Sequence, residues 1–208
     1  MPGGLSWRVY STGKGFVRNC VFRDNKSNLF FHQYAELSIL DCQFINNEST
    51  VSGAVLHDGG LIDKIFIKGC LFKRNKAPDG GAISFYNSSN VIIDSCIFEE
   101  CETSLYGGAI NIYLGKRIII QRSIFQNNHT STASIARGGA IATHKCLSGT
   151  IIKDNLFENN VASEMGGAIH QYHGCNAWII NNRFYRNRSY NGAAISSFLF
   201  CSPKIQWN

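Results

Sequence analysis

The segment from Phe157 to Ile169, FENNVASEMGGAI, contains the two phrases that decide the fold. The first phrase, Phe-x-x-Asn, recurs along the chain at Phe22–Asn25, Phe44–Asn47, Phe72–Asn75, Phe125–Asn128, Phe157–Asn160 and Phe184–Asn187. One copy departs from it, because Phe98 is followed three positions later by Cys101. The second phrase, Gly-Gly-Ala-Ile, is complete at Gly80–Ile83, Gly107–Ile110, Gly138–Ile141 and Gly166–Ile169, and weaker at Ser52–Val55 and Gly192–Ile195. Two phrases that alternate with a period of about 22 to 32 residues indicate a repeat architecture.

Aliphatic residues lie five and seven positions before the Phe of most repeats, as Ile65 and Ile67 do before Phe72. This period-two alternation predicts short strands that bury one face. After this strand the alternation changes phase, so that the Phe and the residue two positions before it are the residues that point inward. Charged residues between the two strands predict a corner in each repeat, at Arg18, Asp41, Lys68, Asp94, Arg122 and Asp154.

No helical periodicity separates the strands, so each strand must pair with the equivalent strand of the next repeat. Such strands form a solenoid whose coils lie about 4.8 Å apart. The sequence therefore predicts an all-β protein, a right-handed parallel β-helix (solenoid) of about seven coils. The Asn of each first phrase is predicted to form a structural ladder between coils, since stacked side-chain amides can bond to one another. The ladder residues are Asn25, Asn47, Asn75, Asn128, Asn160 and Asn187.

Composition favours one folded unit without nucleic-acid or membrane function. The 208 residues are 44% hydrophobic and 16% charged, which is enough apolar material for a continuous core. The net charge of +6 comes from scattered Lys and Arg, so we expect no nucleic-acid partner. No apolar stretch approaches the roughly 18 residues of a membrane span. We expect residues 1–208 to be a single β-helix domain and a segment of a longer solenoid.

The alternation of the two phrases, from Gly4 to Ile195, resembles the chlamydial polymorphic outer membrane proteins and similar surface proteins of some protists. The resemblance implies a pectin-lyase-like β-helix that serves as the passenger region of an adhesin. It also implies display on the cell surface or outer membrane, or secretion. The expected partner is a protein or glycan on a host or neighbouring cell. Export and attachment follow from the resemblance alone, because these 208 residues contain no counterpart of that family's signal peptide or membrane barrel.

One column of residues is a candidate binding surface on the outer face of the Gly-Gly-Ala-Ile strands. The third residue after each Ile position is aromatic or His in most coils: Tyr10, Tyr86, Tyr113, His144, Tyr172 and Phe198. An exposed aromatic stripe can stack on sugar rings or pack against a partner protein. The alternative is that these residues reflect strand propensity and are covered by the following loop.

Cysteines follow the repeat and offer two weaker candidates. Two positions before Phe, Cys20, Cys42, Cys70 and Cys96 form an inward column in which small apolar packing is favoured, while disulfides Cys20–Cys42 and Cys70–Cys96 remain open. The pairs His144–Cys146 and His173–Cys175 have nearly the same repeat offset and are candidate zinc ligands. We nevertheless predict no metal and no cofactor.

The leading functional hypothesis is a non-catalytic adhesin scaffold that binds through its lateral face. One alternative is a carbohydrate-binding or polysaccharide-cleaving β-helix, although glycoside cleavage needs two neighbouring carboxyl groups that the columns do not supply. The other alternative is a filament subunit that associates end to end through unpaired strand edges.

Overall fold

The computed structural model describes residues 7–10, 13–33, 36–59, 64–131 and 135–208. Within these ranges the regular structure consists of strands, and the strands pair in parallel. The predicted all-β parallel β-helix is therefore confirmed. In the described part of the chain we find no helix long and apolar enough to cross a bilayer.

The strands form four sheets, each of which takes at most one strand from each coil. Sheet A follows the glycine pairs and contains Trp7–Tyr10, Phe30–Gln33, Leu56–Asp58, Ile83–Tyr86, Ile110–Tyr113, Ile141–His144, Ile169–Tyr172 and Ile195–Phe198. Sheet B contains Lys14–Arg18, Glu36–Leu40, Lys64–Lys68, Ser89–Asp94, Lys116–Gln121, Ile151–Lys153, Trp178–Ile180 and Lys204–Gln206. Sheet C, with one strand for each Phe, contains Val21–Arg23, Gln43–Ile45, Leu71–Lys73, Ile97–Glu99, Ile124–Gln126, Leu156–Glu158 and Arg183–Tyr185. The short sheet D contains Lys76–Asp79, Glu102–Tyr106 and His129–Thr130.

The core is a continuous stack of the inward columns, and it extends from Val17 to Ile179. Equivalent residues of successive coils pair directly, so that Ile65, Val91 and Ile118 lie side by side in sheet B. In sheet C the Phe rings stack face to face with centroid separations between 4.5 and 5.3 Å. A stack of this kind buries each ring between identical neighbours, which is why the Phe position tolerates so little variation along this chain.

The corner between sheets B and C is a residue in the left-handed conformation, three positions before each Phe. These residues are Asn19, Asp41, Gly69, Ser95, Arg122, Asp154 and Asn181. The predicted corner set is therefore wrong for Arg18, Lys68 and Asp94, which are the last residues of their sheet B strands. The charged residues lie in the correct region, between the strands of sheets B and C. The corner residue itself is identified by its positive φ.

The corner before sheet A requires both residues of the glycine pair. Gly107 has a φ of 68°, and a β-carbon there would overlap the carbonyl of Ile110. A β-carbon on Gly108 would overlap the carbonyl oxygen of Gly139 in the next coil. The first glycine thus supplies the turn and the second permits close approach of two coils.

The predicted ladder Asn residues hydrogen-bond from coil to coil. The side-chain Nδ2 of Asn128 donates to Oδ1 of Asn160 at 3.0 Å, and Nδ2 of Asn160 donates to Oδ1 of Asn187 at 2.9 Å. Cys101 occupies this column in the coil between Asn75 and Asn128. A second amide ladder follows the inward cysteine column, where Asn155 donates to Asn182 at 3.0 Å and Asn182 to Asn208 at 3.1 Å.

Candidate binding cleft on sheet A

The aromatic column predicted on sheet A is continuous in register from Tyr86 to Phe198. Tyr86 pairs with Tyr113, Tyr113 with His144, His144 with Tyr172, and Tyr172 with Phe198. The backbone of Tyr10 pairs with that of Gln33, but the side chain of Tyr10 lies outside the described residues. Because Phe85 pairs with Asp58, the column position next to Tyr86 belongs to Gly59. The column is therefore interrupted between Tyr10 and Tyr86.

Ring contacts link the members of this column. The Tyr86 and Tyr113 rings are nearly parallel, with an interplanar angle of 9° and a centroid separation of 4.9 Å. The Tyr172 and Phe198 rings stack with a separation of 6.0 Å. His144 lies between the two pairs and meets the Tyr172 ring at an angle of 69°.

His144 corrects the expectation of a uniformly exposed stripe, because its exposed fraction is only 6%. Tyr106, the residue before a glycine pair, covers His144 edge-on, with 4.5 Å between the two ring centroids. Tyr86, in contrast, is 51% exposed. The column is thus one wall of a cleft, and the opposite wall comes from the preceding corner.

The opposite wall is a second column, formed by the residues that precede the glycine pairs. Asp79 is in register with Tyr106, Tyr106 with Arg137, and Arg137 with Met165. The sharp turn at each glycine pair brings this column opposite the aromatic column.

The floor consists of residues one position after the Ile of each coil, of which Ser84, Asn111 and His170 are buried although they point away from the core. The cleft has a volume of about 360 Å³ and is lined by Ser52, His57, Asp79, Ser84, Tyr86, Tyr106, Asn111, Tyr113, His144, Lys145, Tyr172 and His173. Its members come from five successive coils, so it extends for roughly 19 Å along the solenoid.

Five polar atoms of the cleft wall and floor are buried without a hydrogen-bond partner among the described residues. They are Oδ1 of Asp79, Oδ1 of Asn111, Nε2 of His144, and Nδ1 and Nε2 of His170. Buried polar groups are normally paired, so unpaired ones mark a place where water or a ligand completes the bonding.

Burial controls the protonation of the cleft. It raises the pKa of Asp79, which a hydrogen bond from Ser52 partly offsets. It lowers the pKa of His144 to about 4, with a further contribution from the positive charge of Arg137. At neutral pH His144 is therefore an uncharged imidazole. Arg137 itself is held by Glu164, with Nε at 2.6 Å from the carboxylate.

The two cysteines of the zinc candidate are bonded to each other. Cys146 and Cys175 form a disulfide between adjacent coils, with a Cα separation of 4.5 Å. Their sulfurs are not thiolate ligands in this structure, and the described residues contain no group of three or more potential metal ligands. The inward cysteines Cys20, Cys42, Cys70 and Cys96 are free thiols, so the open disulfide pairings are not formed.

The sequence patterns did not lead us to predict a second, largely apolar surface on the outer face of sheet B. Its column lies six positions before each Phe and consists of Phe16, Ser38, Phe66, Ile92, Ile119, Ile151 and Trp178. Trp178 is 47% exposed and carries Lys204 over its ring at 4.6 Å. The signal was present, because apolar residues at this position break the expected alternation between buried and polar positions.

One family of known proteins matches part of the chain. Residues 156–171 match the repeat described as Chlamydia polymorphic membrane protein (Chlamydia_PMP) repeat. No curated protein and no solved structure matches the chain. The matched segment spans one sheet C strand, ladder Asn160, the glycine pair and most of one sheet A strand. The chain is a parallel β-helix, and this segment of it is similar to the repeat of the chlamydial polymorphic membrane proteins.

Proposed function

We propose that the chain is a non-catalytic binding segment of an adhesin displayed on a cell surface. In this proposal the solenoid is a rigid scaffold, and the cleft on sheet A contacts a protein or glycan on a host or neighbouring cell. The repeat family and the β-helix fit the passenger scaffold of a surface protein. They also suggest an outer-membrane or surface location.

The observation that carries the proposal is the combination of aromatic rings and unpartnered polar atoms in one cleft. Tyr86, Tyr113 and Tyr172 provide contact area on a rigid sheet, and such residues lose little conformational freedom when they bind. Asp79 and Asn111 provide unsatisfied acceptors beside them.

The lining also supports a binding role over cleavage. Among the described residues that line the cleft, Asp79 is the single carboxylate. Acid-base cleavage of a glycosidic bond uses two carboxyl groups about 5 to 10 Å apart. Release of reducing ends from any polysaccharide by the purified chain would contradict the non-catalytic part of the proposal.

Adhesion of coated beads to cells tests the role of the cleft. Beads that carry the full 208-residue chain are counted on cultured epithelial cells. A triple variant, Tyr86→Ala with Tyr113→Ala and Tyr172→Ala, should reduce the count at least tenfold, because roughly 1 kcal/mol is lost for each anchor ring.

The matched control changes exposed apolar residues on another sheet, Ile92→Ala with Trp178→Ala, and should leave adhesion unchanged. Thermal unfolding of each variant verifies that it is folded. If the control variant loses adhesion and the tyrosine variant keeps it, binding occurs through sheet B and the cleft is not the contact surface.

A further inference from the structure

We infer that the outer face of sheet B binds the surface of an anionic lipid bilayer. The inference goes beyond the proposed function, because it concerns a different face of the solenoid from the cleft on sheet A. It rests on the last five strands of sheet B, from Ser89–Asp94 to Lys204–Gln206, which lie with their adjoining loops in the described part of the chain. Binding at the surface of a bilayer requires no membrane-spanning segment.

An apolar ridge runs along the middle of this face. We use that name for Ile92, Ile119, Ile151 and Trp178, which are paired in register from coil to coil. Because neighbouring strands of a sheet are about 4.8 Å apart, the four side chains form a row roughly 14 Å long. Trp178 is 47% exposed and Ile92 is 37% exposed, so both ends of the ridge are open to solvent. A flat apolar partner can therefore cover the ridge without a complementary shape.

Basic residues border the ridge. The eight strands of sheet B contain eight Lys and Arg residues and two acidic residues, so the net charge of this sheet is +6, equal to that of the whole chain. Arg117 lines the same shallow surface depression as Ile92 and Ile119. Lys153 follows Ile151 by two positions on one strand and shares its face. At the other end of the ridge, Lys204 lies 4.6 Å above the ring of Trp178.

These cations are free to meet an anionic partner. Among the described residues, neither Arg117 nor Lys153 has a carboxylate within 4 Å. Asp94 is the single acidic residue of the five strands, and Arg122 is already paired with it. The field at this face is therefore positive, and at physiological salt it acts on anionic groups over roughly 8 Å.

A bilayer offers both of the groups that this face would contact. Anionic headgroups pair with the Lys and Arg side chains, whose aliphatic stems lie along apolar surface, and Trp is enriched at membrane–water interfaces. A second copy of this chain would bring two positive faces together. A nucleic acid or an acidic polysaccharide would pair with the cations but would leave the apolar ridge in water. The combination of apolar and basic residues on a flat face thus favours an anionic bilayer.

Sedimentation with lipid vesicles tests the inference. The full chain is mixed with vesicles of phosphatidylcholine alone, or of phosphatidylcholine with about one third phosphatidylglycerol, and the unbound protein is measured after centrifugation. The anionic vesicles should bind the protein at least roughly tenfold more tightly than the zwitterionic vesicles. Most of this difference should disappear in about 1 M NaCl, where the Debye length is only about 3 Å.

A charge variant tests the basic border of the ridge. Arg117→Gln with Lys153→Gln should weaken binding to the anionic vesicles roughly twentyfold, because each cation near such a surface contributes a factor of about five. The matched control, Arg186→Gln with Arg188→Gln, removes two exposed charges from the turn that follows a sheet C strand. It should bind the anionic vesicles within about twofold of the parent, since these charges lie away from sheet B.

Two further variants test whether the ridge enters the bilayer. Ile92→Ala with Trp178→Ala should weaken binding roughly tenfold, because it removes the apolar area that the bilayer would cover. Lipids with bromine near the top of the acyl chain should quench the fluorescence of Trp178. In Trp178→Phe this quenching should be lost while binding to the vesicles is kept.

Several outcomes would overturn the inference. They are failure to bind anionic vesicles, binding without quenching of Trp178, and undiminished binding by both sheet B double variants when thermal unfolding shows them to be folded. Tighter binding to poly-glutamate than to the vesicles would assign the face to an acidic protein instead.

The vesicle assay and the cell-adhesion assay can fail independently. The cleft variant, Tyr86→Ala with Tyr113→Ala and Tyr172→Ala, should bind anionic vesicles as the parent does. The exposed leaflet of cultured epithelial cells is largely zwitterionic, because anionic lipids are concentrated in the cytoplasmic leaflet. The sheet B variant that serves as the adhesion control is therefore still expected to adhere to these cells.

Discussion

An inward side chain in this solenoid contacts two equivalent residues, one in the coil before it and one in the coil after it. Asn160 illustrates this. Its Oδ1 accepts from the backbone and side chain of Asn128, and its Nδ2 donates to Asn187 and to the carbonyl of Phe125. The ladder residue therefore gives its own side-chain amide hydrogen-bond partners. It also bonds backbone N–H and C=O groups at a turn where no strand pairing would bond them.

Cys101 is the weak member of this column. Its thiol is fully buried, which raises its pKa to about 12, and it meets the carbonyl of Phe72 at 3.5 Å. We expect Cys101→Asn to stabilise the protein by about 1 kcal/mol, because an amide replaces a weak sulfur acceptor and donor. Urea unfolding of the two proteins measures the difference. The reciprocal change Asn160→Cys should destabilise by a similar amount, and a Cys101→Asn variant that unfolds at lower urea would contradict the ladder argument.

Two buried histidines beside the cleft make stability depend on pH. Burial, followed by the charges of nearby groups including Arg137, lowers the pKa of His144 to about 4 and that of His170 to about 3. An unfolded His titrates near 6.5, so below that pH the unfolded state binds protons that the folded state refuses. Stability should thus fall as pH drops from about 6.5 toward 4, by roughly 1.4 kcal/mol per pH unit for each His at most.

Thermal unfolding at pH 7.0, 6.0 and 5.5 measures this slope above the range in which carboxyl groups protonate. The variant His144→Gln with His170→Gln should show a shallower slope over the same interval. Equal slopes for the parent and the variant would mean that these imidazoles accept protons in the folded protein.

At the scale of elements, the corners explain why each strand begins where it does. Four strands of sheet A begin after a complete glycine pair. The strands of sheet C begin two residues after a left-handed corner that small or polar residues occupy. The glycine corner is the more demanding of the two, because it also controls the distance between coils. It is the corner that brings Asp79 and Tyr106 opposite the aromatic column.

Gly108→Ala should therefore be strongly destabilising, by about 3 kcal/mol or more, since its β-carbon overlaps backbone of the next coil. Gly59→Ala is the matched change at a glycine with open space around it among the described residues, and it should alter stability by less than about 0.5 kcal/mol. Urea midpoints compare the two. Similar midpoints for both variants would show that the coils can move apart to admit a methyl group.

At the scale of the whole molecule, the solenoid is a row of coils in which each coil contacts its neighbours. Strand pairings connect residues about one repeat apart, and the core is a set of parallel columns rather than a centre. Stability in such a protein is a sum over coils and their interfaces. The backbone amides of coils with two complete interfaces should thus be the most strongly protected from hydrogen exchange.

Hydrogen exchange can measure this gradient. The amides of Ile110, Ile120 and Phe125, in fully buried central coils, should exchange at least tenfold more slowly than those of Ile195 and Ile205, whose side chains are partly or largely exposed. Uniform protection along the chain would indicate that all coils open together, which would contradict the additive picture.

The sequence alone determined the solenoid, because the requirement for it is local and repeated. One repeat shows a Phe that must stack on a Phe and aliphatic residues at alternate strand positions, and the next repeat tests the same pattern again. A complete glycine pair precedes four of the sheet A strands, at Ile83, Ile110, Ile141 and Ile169. The tertiary structure alone decided the cleft. Tyr106 covers His144, Asp79 lies near Tyr86 and Cys146 bonds to Cys175 because of the corner angle and the packing of side chains from different coils, and no local periodicity encodes those contacts.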